Sequence, residues 1–274
     1  MRKPILTTIT PVWNRPEMFR VWVEALKGAA HPQVQHFVYF VGEQPPCQAP
    51  PNFRFISCSE KPGLSIAHYH NLGAREAETQ WMMKLDVDAL PNVRLFKDLV
   101  NILAMTKNPK RWYNVGMFYA NKSITHSLLT KERMPLSELV YNDFLNNLKA
   151  FTNSAYIKPA ASNFVCNRQW YLNIGGCHGG FRGYGWEDYY QMYLMERDRL
   201  GRDPLPGPVT LDTAPRRVRD EIARPEALRL WTMNRWCALI HRWHPGSAGT
   251  DYKAKSVMDS NRKILLDLIQ KSKG

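Results

Sequence analysis

The sequence predicts an α/β fold: a mostly parallel central sheet flanked by helices, with a more helical C-terminal part. Three observations lead there. Apolar, β-branched runs of strand length alternate with segments of helical period over the first hundred residues. The 274 residues are 44% hydrophobic and 22% charged, as in ordinary globular chains, which excludes a disordered or fibrous protein. No apolar stretch approaches the roughly 20 residues that cross a bilayer, and the mean hydropathy is -0.43. A chain of this length buries a sizeable core, and nothing in it marks a linker. One unit over residues 1–274 is expected, with two functional halves, 1–105 and 106–274.

The elements follow in order. Residues 5–10 form a β-branched run that reads as a buried strand. The short, threonine-broken N-terminus lacks a small-residue cleavage site, so a core strand rather than a signal peptide is expected, in a cytoplasmic protein. Asn14 is the expected N-cap of a helix whose first turn takes Pro16, with Phe19, Trp22, Val23 and Leu26 at helical spacing. Strands are expected over 34–41 and 53–58, separated by a proline-rich breaker. A helix over 65–78 precedes a short strand over 81–85, which ends in Asp86-Val87-Asp88; a helix over 93–105 follows. Residues 112–119 read as one strand and 137–150 as an amphipathic helix with Leu139, Val140, Phe144 and Leu148 on one side. A strand over 162–166 and a helix over 187–199, stopped by Gly201, come next. The Pro- and Arg-rich stretch 202–225 reads as a surface loop, followed by helices over 225–242 and 254–271.

The five cysteines are odd in number and show no C-x-x-C spacing, so reduced, mostly buried thiols are expected rather than disulfides or a thiolate zinc site. The net charge of +13 is uneven: +2 over residues 1–99, +5 over 100–160, -1 over 161–196 and +7 over 197–274. Two basic blocks thus flank a nearly neutral, glycine- and aromatic-rich centre. Such blocks suit a polyanionic partner, although a merely soluble basic surface has the same composition.

Three clusters carry candidate chemistry. Asp86 and Asp88 lie at a strand's carboxyl end, where ligands bind in parallel sheets, and hard carboxylate oxygens suit Mg²⁺ or Mn²⁺. A bare D-x-D is also a common solvated cap. Residues 175–188 hold six glycines in eleven positions, then Trp186, Glu187 and Asp188. The glycines permit sharp turns, and Tyr184 and Trp186 offer flat surfaces for a sugar or base. A carboxylate here could be a general base, or simply complement a helix dipole. His241 and His244, three apart, could share a helix face and ligate a metal, or end a helix before Pro245.

Together these pieces resemble the GT-A glycosyltransferases of the family 2 type, with a C-terminal galactosyltransferase-type block. Residues 5–15 look like the opening strand and loop. Residues 63–73 followed by Lys84-Leu85-Asp86-Val87-Asp88 look like the helix and D-x-D strand. The stretch from Asn163-Phe164 to Asp188 is similar to the asparagine-led strand, GG turn and GWxED-like element, with the aromatic displaced by a residue or two.

The resemblance implies a GT-A, Rossmann-like fold in which 1–105 binds a nucleotide sugar, a UDP-sugar above all, and 106–274 binds the acceptor. It implies that Pro11, Trp13, Arg15 and Glu43 line the donor pocket and that Asp86 helps hold nucleotide or sugar. Asp88 would ligate Mn²⁺ or Mg²⁺, with His244 as second ligand and His241 as the alternative. Asp188 would be the general base of an inverting transfer, Glu187 would bind acceptor or donor sugar, and Trp186 would pack on it.

On the acceptor side, Tyr184, Arg182, Arg216 and Arg217 are the candidates. Charge in that half suggests DNA as acceptor, through a hydroxymethylated pyrimidine of the kind bacteriophages glycosylate in the host cytoplasm, with a surface polysaccharide or other glycan as the alternative. From another class, a non-catalytic nucleic-acid-binding protein or a metal-dependent nuclease would use the same acidic and basic residues.

Overall fold

The computed structural model describes residues 3–13, 15–42, 47–58, 66–120, 122, 125, 137–151, 162–183, 185–242 and 255–273. Its centre is a six-stranded sheet in the order β3-β2-β1-β4-β8-β6. The strands are β1 (Leu6–Trp13), β2 (Val34–Val41), β3 (Phe53–Cys58), β4 (Trp81–Lys84), β6 (Trp112–Asn114) and β8 (Phe164–Asn167). β1, β2, β3 and β4 pair in parallel, whereas β8 runs antiparallel to both β4 and β6. The expected mostly parallel sheet is therefore present, with one reversed strand, β8, between β4 and the edge strand β6.

Side-chain alternation explains why both faces are covered. Val34, Val38 and Phe40 of β2 enter one core, and Phe37, Tyr39 and Val41 enter the other. The first core takes residues of α1 (Pro16–Gly28), α3 (Leu95–Met105) and α4 (Glu138–Phe151). The second takes residues of α2 (Ile66–Glu76), α5 (Arg168–Asn173), α6 (Glu187–Leu200) and α9 (Lys255–Lys271). Phe19, Trp22, Val23 and Leu26 bury the inner face of α1, and Pro16 occupies its first turn as expected. The expected cap, Asn14, lies outside the described residues.

β1 runs on to Trp13, past the expected end at Thr10. Its pairing with β4 stops at Ile9, so Pro11 lies beyond that pairing, where a missing N–H disrupts no bond to β4. Gly73 of α2 sits against Ile9; a Cβ there would come to 2.6 Å from Ile9 Cγ2. The glycine lets α2 lie close on β1.

Several expectations are corrected. The single strand over 112–119 is broken at Val115-Gly116 into β6 and β7 (Met117–Tyr119), which join different sheets. The helix expected to start at Val93 starts at Leu95, because Ala89–Pro91 forms a strand, β5. The helix expected to run to Arg242 ends at Met233, and Leu239–His241 forms a further strand, β9. β9 pairs with β5 and β7 in a three-stranded sheet, so pairing overrode helical periodicity.

The stretch 202–225 is not all surface loop. Short α7 (Ala214–Arg217) passes into a π-helical turn, Val218–Ala223, and then α8 (Arg224–Met233), with Ala214, Val218 and Ile222 buried. Pro225 has no N–H to continue the i→i−4 ladder, which accounts for the wider turn before it. In α4, Val140 and Phe144 are buried but Leu139 is exposed, and the side chain of Leu148 lies outside the described residues. The five cysteines are free, with Cys166, Cys177 and Cys237 buried.

Candidate active site

β4 builds the site. Met82 and Lys84 point to the second core, into which α6 packs, and Trp81, Met83 and Leu85 point to the first. Leu85 is tied to β1 on both sides of its peptide, by its N–H to Ile9 O (3.2 Å) and by the Thr10 hydroxyl on its carbonyl (2.7 Å). The chain then leaves the sheet through Asp86-Val87-Asp88.

Asp86 is held by the two residues that lead into β8. Its N–H donates to Asn163 Oδ1 at 2.9 Å, and its Oδ2 accepts from Asn163 Nδ2 at 3.3 Å and from the Ser162 hydroxyl. Burial pushes its carboxyl up to about 6, with the charge of Asp88 adding to the effect and the Ser162 hydrogen bond opposing it.

Asp88 faces cations and an imidazole. Arg15 Nη1 lies 3.3 Å and His241 Nε2 3.6 Å from Asp88 Oδ2. Strand register explains the histidine: Ala89 pairs with His241 in the antiparallel β5–β9 ladder. Tyr119 pairs with His241 from the other side, and the two rings stack at 4.6 Å. The Arg242 N–H donates to Asp88 O at 3.0 Å. His241 is thus on a strand, not on the expected helix face shared with His244; His244 lies outside the described residues.

The second acidic pair opens α6, as expected, at the αL residue Trp186 (φ 74°). Lys84, with no exposed surface, makes an ion pair and hydrogen bond with Asp188. Burial raises the Glu187 carboxyl, and the Lys84 charge opposes that rise. The two acidic clusters are therefore joined by one strand. Lys84 touches Asp188, Asp86 is two residues along, and Asp88 is two more, a span of at most about 14 Å. Asp188 and Asp88 do not lie on opposite sides of the molecule.

The glycine turn is built around Asn71 of α2. Asn71 Oδ1 accepts from Cys177 N (2.8 Å) and Tyr171 Oη (2.7 Å), and its Nδ2 donates to Cys177 O (2.7 Å). Gly176 has φ +64° and a Cβ there would lie 2.4 Å from Asn71 Oδ1, so this position requires glycine. Farther on, α9 pins the loop: Asn261 bonds the backbone of Arg182 in both directions (3.1 and 2.6 Å). Trp186 Nε1 donates to Met258 O at 3.1 Å, and Arg262 lies 5.7 Å over its ring.

The remaining sequence candidates divide as follows. Pro11, Trp13 and Arg15 lie along or just after the carboxyl end of β1. Glu43 and Tyr184 lie outside the described residues. Arg182 and Arg216 are exposed. Arg217 is held by Glu221 (2.6 and 2.9 Å) and by the carbonyls of Pro206 and Pro208 (3.0 Å each). Among the described residues no group of three or more His, Cys, Asp or Glu is gathered as a metal cage. The pair Asp88–His241 nevertheless offers one hard oxygen and one imidazole nitrogen, a donor set that suits Mn²⁺ or Mg²⁺ completed by phosphate oxygens.

Lys84 and Ser162, which contact Asp188 and Asp86, are not among the sequence candidates. A signal existed: a lone lysine inside Trp81-Met82-Met83-Lys84-Leu85 is buried if the strand is, and a buried ammonium needs a carboxylate.

Residues 52–199, more than half of the chain, match the family described as glycosyltransferase like family 2. The chain belongs to this family. The match takes in the D-x-D strand, the glycine turn and the Glu187-Asp188 pair of this family 2 glycosyltransferase chain. No curated protein matches.

Among solved structures, the mannosyltransferase PcManGT from Pyrobaculum calidifontis, in complex with GDP-Man and Mn²⁺, is 16% identical with a TM-score of 0.43. That similarity covers 71% of this chain and 52% of that one. S. aureus TarS 1-349 is 13% identical with a TM-score of 0.44, over 70% of this chain and 54% of that one. Its complex with UDP-GlcNAc is 13% identical with a TM-score of 0.45, over 69% and 52%. The chain spans about half the length of these proteins. Among the described residues no helix is long and apolar enough to cross a membrane.

Proposed function

We propose that the protein is a metal-dependent, inverting glycosyltransferase that moves a sugar from a nucleotide sugar, a UDP-sugar first, to an acceptor hydroxyl. The observation that carries this reading is the single run from Lys84 to Asp88, which touches Asp188 at one end and Arg15 and His241 at the other. Donor and acceptor chemistry then share one cleft.

Asp88 and His241 would hold Mn²⁺ or Mg²⁺, with His244 as a further ligand. When bound, the cation supplies positive charge against the departing diphosphate. Arg15, beside Asp88, adds charge of the same sign for the phosphates. Asp86, locked by Ser162 and Asn163, shapes the donor floor, with Pro11, Trp13 and Glu43 around the nucleotide. Lys84 orients Asp188, whose carboxylate takes the proton of the acceptor hydroxyl. That oxygen forms the new bond to the anomeric carbon as the bond to the diphosphate breaks on the opposite face. Glu187 and Trp186 would hold the sugar, and Tyr184 and Arg182 the acceptor.

Two acceptors remain in play. DNA carrying a hydroxymethylated pyrimidine is supported by the +13 charge, with Arg216 and Arg217 on its path. A glycan hydroxyl is favoured by the ion pairs of Arg217, Arg219, Arg224 and Arg229 with Glu221, Asp220 and Glu226, which engage these four guanidinium groups within the protein.

Thermal melting with Mn²⁺ and either UDP or GDP tests the donor reading. A hundredfold excess over the dissociation constant is expected to stabilise the protein by about 2.7 kcal/mol. No shift with any nucleoside diphosphate would favour a nuclease or a non-catalytic binding protein.

A further inference from the structure

Buried polar atoms without a partner are rare in folded proteins, and each asks for a reason. Among the described residues, five such atoms belong to three side chains, His70, Gln191 and Glu187. His70 of α2 is 1% exposed, and neither of its ring nitrogens has a hydrogen-bond partner. Gln191 of α6 has no exposed surface, and both its amide nitrogen and its amide oxygen are unpaired. Glu187 is 4% exposed with Oε2 unpaired.

These groups converge by construction. Gln191 stands three residues after Asp188 and four after Glu187, so it shares their helix face. Both His70 and Glu187 feel the Lys84 charge. His70 precedes Asn71, whose side chain holds Cys177, and Cys177 Sγ lies 3.8 Å from Lys84 Nζ.

A purely structural core position would gain nothing from this chemistry. Leaving a buried amide or imidazole unpaired costs about 1–3 kcal/mol, and an apolar side chain of equal size avoids it. Together the three side chains present donors and acceptors in both directions, which matches hydroxyl groups, each able to give and to accept. A phosphate, with acceptors only, would leave Glu187 facing like charge. The two helices that supply the groups come from the two halves of the chain: α6 reaches the strand that leads to Asp86 and Asp88 through Asp188, and α2 packs on β1, the neighbour of that strand.

We infer that His70 and Gln191 are specificity-determining residues that, with Glu187, receive the hydroxyl groups of the transferred sugar of the donor. This deepens the proposed function and rests on it. The groups are enclosed, so a sugar ring reaches them only with local opening of the packing around them.

The test separates the sugar from the nucleotide. Gln191→Met and His70→Leu are titrated calorimetrically in Mn²⁺ with UDP and GDP, and with UDP-glucose, UDP-galactose, UDP-N-acetylglucosamine and GDP-mannose. Both variants are expected to bind the nucleoside diphosphate as the wild type does, and to lose about tenfold or more in affinity for the nucleotide sugar that the wild type prefers. Their melting temperatures are expected to equal or exceed that of the wild type, since an unsatisfied group has been removed.

An unchanged ratio of nucleotide-sugar to nucleoside-diphosphate affinity in both variants overturns the inference. So does a parallel loss of both affinities together with a lower melting temperature, which marks a structural role. A wild type that binds no nucleoside diphosphate at all fails earlier, and brings down the glycosyltransferase reading itself.

Discussion

Lys84 has no exposed surface and finds its counter-charge in Asp188. Removing one member of a buried pair leaves an uncompensated charge, whereas replacing both with apolar groups is often neutral. Lys84→Met is therefore expected to lose about 3–5 kcal/mol in urea unfolding, and Lys84→Met/Asp188→Leu to recover most of it while remaining inactive. A double variant as unstable as the single one would mean that Lys84 is held by other groups. Asp86 has the opposite character. Its folded-state value, about 6, lies above the ordinary 3.8, so its ionisation costs stability as pH rises through that window. Below about pH 4 the cost is absent, and above about pH 6 it is complete. Asp86→Asn should melt close to the wild type at pH 4 and above it at pH 7. A variant that melts lower at pH 7 would show that the Ser162 and Asn163 hydrogen bonds outweigh burial.

At the scale of elements, α2 fixes the geometry of the site twice, through Asn71 on the glycine turn and through its approach to β1 at Gly73. Gly73→Ala puts a Cβ against a buried isoleucine that cannot swing away. A loss of about 1–3 kcal/mol is expected in chemical denaturation; an unchanged midpoint would mean that α2 can shift on the sheet. Apart from β5, the strands and helices of the first half are legible because each has one clear period. In the second half α4, α6, α9 and β8 are legible as well, but the split of β6 from β7 and the strand β9 are not. Residues 112–119 read as one strand, and only the pairing partners of its two ends, β8 and β9, separate it. Residues 239–241 sit within a run of helical period, and their strand exists because β5 and β7 offer edges. Such partners are distant in sequence and leave no local trace. For the same reason the D-x-D and the Glu187-Asp188 pair could be found from local pattern and family resemblance, while Ser162 and Gln191 needed the fold to bring them in.

For the whole molecule, charge pairing as well as net charge bears on the acceptor. Four of the arginines in the span 216–242 are tied to carboxylates. Arg242 backs the Asp88 turn, and Arg235 lies over the Trp236 ring. Duplex DNA binding is therefore expected to be weak, with a shallow dependence of log affinity on log salt. A slope steeper than about -5, equivalent to five or six phosphate contacts, would restore DNA as the acceptor.

One measurement bears most directly on the shared cleft, namely nucleoside-diphosphate affinity in Mn²⁺ and sugar-transfer rate in parallel for Asp88→Asn and Asp188→Asn. Asp88→Asn is expected to lose affinity and rate together, and Asp188→Asn to bind as the wild type does but to turn over about a hundredfold or more slowly. Wild-type turnover by Asp188→Asn, or undiminished affinity in Asp88→Asn, would contradict these roles.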